Sequence, residues 1–85
     1  MSETEPKADL LAQVGLRILK ARTKSGISRR LLSEKSGVSP RYIAQMEAGE
    51  GNISIALLQK VATVLDMRIE WFFWPEDPWL SEFQH

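Results

Sequence analysis

Three times in this chain an apolar residue is followed by a serine and, four residues after the serine, by a second apolar residue. The units are Ile27–Ser28–Leu32, Val38–Ser39–Ile43 and Ile53–Ser54–Leu58. A serine hydroxyl can accept a hydrogen bond from a backbone N–H left free in the first turn of a helix. Apolar residues on either side of such a cap close over the turn as a hydrophobic staple. The pattern predicts helix starts at 28, 39 and 54. The first two are so close that Ser28–Glu47 must be two short helices joined by a tight turn. Gly37 marks the end of the first, because a left-handed residue there has no steric cost for glycine. Pro40 suits the first position of the second, where a missing N–H removes nothing.

The flanking segments read in the same way. From about Asp9 to Lys24, Leu10, Leu11, Val14, Ile18 and Ala21 recur at three- and four-residue spacing, the mark of an amphipathic helix that Gly26 ends. In the helix from Ser28 to Ser36, Leu31 and Leu32 are the core candidates. In the helix from Ser39 to Ala48, Ile43 and Met46 face inward, and Pro40, Arg41, Ala44 and Gln45 face away. Ser54–Leu65 is apolar on two sides: Ile55, Leu58, Ala62 and Leu65 on one, Leu57, Val61 and Val64 on the other. Such a helix needs two partners. Ile69–Phe73 reads as a short fifth helix. The expectation is an all-α, five-helix domain over 9–74, with a disordered tail at 1–8 and an aromatic extension at 75–85.

The net charge is zero, but its distribution is uneven. From Arg17 to Gln45 there are eight basic residues and one acid, Glu34, a net charge of +7; most acids lie near the ends. A basic middle of this kind is a footprint for a polyanion. There is no cysteine and the one histidine is His85, so no thiolate metal site, disulfide or catalytic constellation is expected. No apolar run approaches the length of a membrane span and no signal-peptide core is present, which makes the cytoplasm the expected compartment. No cofactor, metal or small-molecule effector is expected.

Leu32, Ser33, Gly37, Val38, Ile43, Met46 and Glu47 together resemble the helix-turn-helix of the Cro and phage-repressor (XRE) family, over roughly residues 14–70. The resemblance implies a lambda-repressor-like fold and a sequence-specific regulator of transcription that binds double-stranded DNA. It implies base contacts from Pro40, Arg41 and Gln45. Arginine can pair with guanine O6 and N7, and glutamine with adenine N6 and N7. Backbone contacts are expected from Arg29, Arg30 and Tyr42, and from Asn52 and Ser54 at the start of the fourth helix. An arginine late in the first helix, here Arg22, is expected to pair with Glu47. The run SGVSPRYIAQMEAGEGNISIALLQKVA resembles the DNA-binding domain of benzoate-catabolism regulators, although their effector domain has no counterpart here.

Six of the seven aromatic residues lie between Met67 and Phe83. A domain this small cannot bury them all, so the surplus is expected to meet a twin subunit. Leu57, Val61, Trp71, Phe72, Trp74 and Trp79 are the expected homodimer interface. The alternative is a protein-interaction module, such as an antitoxin, whose aromatic tail grips a partner; an aromatic ligand cage is a third use for such a surface.

Overall fold

The computed structural model of the chain describes residues 6–74. Those residues form five helices and no strand: α1 (Pro6–Ser25), α2 (Arg29–Ser36), α3 (Pro40–Glu47), α4 (Ile55–Val64) and α5 (Ile69–Phe73). All three serine caps are present. The hydroxyls of Ser28, Ser39 and Ser54 accept from the N–H groups of Leu31, Tyr42 and Leu57. Gly37 ends α2 in the left-handed region at φ 77°, with its N–H on the Ser33 carbonyl. The first helix opens at Pro6, so residues 6–8, assigned to a tail from the sequence, belong to its first turn. Proline is tolerated there because the N–H it lacks would have had no partner in the helix.

The core is one cluster. Val14, Ile18 and Ala21 of α1 meet Leu32, Val38, Ile43 and Met46 of the helix pair, then Leu58, Val61, Ala62 and Leu65, and finally Trp71 and Phe72. Helix α3 lies against α1, and α2 lies against both α3 and α4. The approach of α1 to the end of α3 is set by glycine. A Cβ on Gly15 would stand 2.4 Å from the Met46 carbonyl oxygen and 2.7 Å from that of Glu47. A Cβ on Gly49, at φ 69°, would stand 3.0 Å from the Cα of Ala12.

Depth departs from the sequence expectations at several points. Leu10, Leu31 and Ile55 were assigned to core faces but are exposed, Ile55 by 60%. Conversely, Val61, Trp71 and Phe72 are buried within the chain's own core, so the interface expected of them is corrected: Val61 and Phe72 offer a partner no surface, and Trp71 only an edge beside Trp74. Leu57 is half-buried against the core, Trp74 is 54% exposed, and Trp79 lies outside the described residues. Arg17, counted in the basic footprint, is also buried. Its guanidinium donates to the Trp71 carbonyl and lies 5.5 Å from the Trp71 ring centroid, a cation–π geometry. It joins α1 to α5 and adds nothing to the outer surface.

Candidate nucleic-acid interface

The ridge of α3 follows from its short amphipathic sequence. Ile43 and Met46 are buried, so the opposite side, with Pro40, Arg41 and Gln45, is exposed. At 3.6 residues per turn, Arg41 and Gln45 are one turn apart on the same side. Tyr42 and Glu47 then fall on opposite flanks, between the ridge and the buried underside. Each flank is tied to a different part of the molecule.

On one flank Glu47 accepts from two arginines. Arg22 Nε lies 2.6 Å from Oε2 and Arg22 Nη2 lies 3.2 Å from Oε1, a two-point contact, while Arg22 Nη1 donates to the Ile27 carbonyl at 3.1 Å. Arg29 Nε adds a third bond to Oε1 at 2.8 Å. The Glu47 side chain is only 3% exposed. Burial by itself would raise its pKa; the hydrogen bonds from Arg22 and Arg29, with their charges, outweigh that and hold the carboxyl below its ordinary value. One carboxylate thereby fixes the end of α1, the start of α2 and the end of α3. The bond from Arg29 is missing from the sequence reading, in which Arg29 had only the DNA backbone to meet. Its side chain is still 51% exposed. Arg30 projects freely, with a loose contact of 3.5 Å to Glu34 one turn on.

On the other flank the Tyr42 hydroxyl donates to the Asn52 carbonyl at 3.3 Å and accepts from the Ser54 N–H at 2.8 Å. The sequence reading expects Tyr42 at a phosphate or sugar of the DNA backbone; in the folded chain its exposed hydroxyl bridges a carbonyl and an N–H of the loop it faces. Ser54 has its N–H on Tyr42 and its Oγ accepting from Leu57, which leaves its hydroxyl proton available outward. Asn52 is exposed beside it.

The outward groups are therefore Arg41 and Gln45 on the ridge, Arg29 and Arg30 at the start of α2, and Asn52 and Ser54 before α4. Guanidinium, amide and hydroxyl donors dominate, and helix starts carry unpaired N–H groups and a positive dipole end. This is chemistry for a polyanion with readable edges. Among the described residues there is no cluster of groups that could hold a metal ion. No described helix is long and apolar enough to cross a membrane.

A family model described as helix-turn-helix matches residues 18–72. The chain belongs to this helix-turn-helix family. Over 57 residues the helix-turn-helix chain is 39% identical to the HTH-type transcriptional regulator SinR of Bacillus subtilis (strain 168), a match that covers 66% of this chain and 51% of SinR. The chain thus spans half the length of that relative. The structure of the restriction-modification controller protein C.AhdI from Aeromonas hydrophila is similar at a TM-score of 0.70 and 33% identity, covering 74% of this chain and 96% of that one. An HTH_3 family transcriptional regulator from Vibrio cholerae is similar at a TM-score of 0.76 and 28% identity, over 89% of this chain and 43% of that chain. The all-α, five-helix, lambda-repressor-like class expected from the sequence is the class these helix-turn-helix structures share.

Proposed function

We propose that the chain is a sequence-specific DNA-binding regulator of transcription that works in the cytoplasm without catalysis or cofactor. Helix α3 enters the major groove, with Arg41 and Gln45 on base edges and Pro40 offering apolar contact. Arg29, Arg30, Asn52 and Ser54 hold the sugar–phosphate backbone, which positions the reader without specifying sequence. The observation that carries this reading is the exposed Arg41–Gln45 ridge over the fully buried Ile43 and Met46.

The regulator acts as a homodimer on half-sites about one helical turn apart. Support for self-association comes from exposed apolar residues at two places: Trp74, expected from the sequence, beside Trp71, and separately Leu10, Ile55 and Phe73 around a groove that also includes Leu11, Ile53 and Asn52. Light scattering of the pure chain tests this part, and a monomer at micromolar concentration would favour the partner-binding alternative.

The main test is selection of bound duplexes from a random-sequence pool. A consensus with paired half-sites is expected. Against it, Arg41→Ala should relax preference at one base pair of each half-site, by about 1–3 kcal/mol of discrimination. Arg29→Ala should weaken all sequences alike. With roughly four phosphates engaged per subunit, the log–log salt slope should be about −7. Recovery of no consensus, or uniform loss in both variants, refutes the division of roles.

A further inference from the structure

The loop between α3 and α4 contains two glycines in the left-handed region, Gly49 at φ 69° and Gly51 at φ 70°. Such a loop does not by its own chemistry hold α4 at one distance from α3. Its near end is closed by helix-capping bonds: Gly49 N–H to Met46 and Glu50 N–H to Gln45. Its far end is held by a side chain of α3 itself. The Tyr42 hydroxyl bridges the Asn52 carbonyl and the Ser54 N–H, ten and twelve residues on. The Tyr42 ring is partly buried against the core, so the hydroxyl is carried on a fixed arm. Ser54 is the cap of α4, and the next N–H groups are those a helix start leaves unpaired.

We infer that Tyr42 is a positioning residue for DNA binding: its hydroxyl sets the offset between the base-reading ridge of α3 and the phosphate-facing start of α4. The inference rests on the proposed DNA reading. A helix that reads base edges and a second helix start that meets a phosphate of the same duplex must keep one spacing, because the groove edge and the phosphate are rigidly related. A displacement of 1 Å at either end lengthens hydrogen bonds beyond their useful range. Tyr42 acts through Ser54 and touches no phosphate itself.

The test uses a labelled duplex selected by the wild-type chain from a random pool, together with a scrambled duplex. Tyr42→Phe removes only the bridging oxygen. It should weaken binding to both duplexes by about five- to tenfold, leave the preferred bases unchanged, and speed exchange of the Ser54 amide in the free protein by at least tenfold. Replacing single phosphates by neutral methylphosphonates should show lost sensitivity at the phosphate facing α4 and retained sensitivity at the one facing α2. If affinity falls while the Ser54 amide exchanges at its wild-type rate, or if sensitivity is lost at a phosphate facing α3 instead of the one facing α4, Tyr42 contacts DNA directly and the inference is overturned. Wild-type affinity in Tyr42→Phe overturns it as well. If no duplex is selected at all while the Ser54 amide still responds, the DNA reading fails and the tie between the helices stands as a structural feature.

Discussion

The two flanks of α3 are held by opposite chemistry. At the Glu47 flank a buried charge is satisfied by two guanidiniums, and the backbone of α1 is pressed so close that glycine is required at 15. At the Tyr42 flank a neutral hydroxyl bridges two main-chain groups near solvent. Removing one partner of a buried ion pair leaves an uncompensated charge, whereas a neutral hydrogen bond at the surface contributes little net stability. The first flank therefore serves stability, by fixing how the reading helix sits on the body of the domain. The second serves placement, by fixing what lies beside it. A buried charged anchor on one side and a neutral hydrogen-bonded one on the other together present a short helix of eight residues, which has no stability of its own.

The largest expected effect tests the charged side. Arg22→Ala should destabilise the domain by about 3–5 kcal/mol, read by urea unfolding, because it strands most of the Glu47 charge. A cost below 1 kcal/mol would mean that Arg29 alone suffices and that the flanks are not so different. Next comes Gly15→Ala. The new methyl meets backbone carbonyls that cannot swing aside, so a loss of about 1–3 kcal/mol is expected, although alanine is the better helix former.

Acid titration sharpens the same point. The folded pKa of Glu47 is lowered, so its contribution is present above the unfolded value and is lost as pH falls through the folded one. Stability should therefore decline below about pH 4.5, the ordinary glutamate value. Glu70 shifts in the same direction, through its own backbone amide and Arg68 at the surface, so the Glu47→Gln difference curve carries the test. Glu47→Gln should flatten the decline. The smallest expected effect is on the other flank: Tyr42→Phe should cost about 1 kcal/mol or less in unfolding. A loss equal to that of Arg22→Ala would erase the contrast between the flanks.

The helix boundaries were legible because capping is local: each serine binds an N–H three residues on, within one turn. The exposed ridge was legible too, since Ile43 and Met46 define an underside at helical spacing. Depth was not. Helix α4 is apolar on two sides, and periodicity alone does not say that Val61 is covered while Ile55 is open. The signal for Arg17 was present but runs against its residue type: it sits between Val14 and Ile18 on the apolar stripe of α1. Gly15 left a signal as well, because a glycine inside a helix is costly and usually has a close neighbour. The Arg29–Glu47 and Tyr42–Ser54 bonds link residues eighteen and twelve positions apart, across turns whose angle only the assembled core decides.

The clasp between α1 and α5 has a mechanical consequence. Gln13 donates to the carbonyls of Phe72 and Trp74, and Arg17 to that of Trp71, so two side chains of α1 hold the main chain at the end of α5. A pulling force applied through Pro6 and Trp74 reaches this seam, where Trp71 and Phe72 enter the core, before it reaches the helix pair. In an optical trap the first rupture should be α5 peeling from α1, with the helix pair and its ridge still assembled behind it.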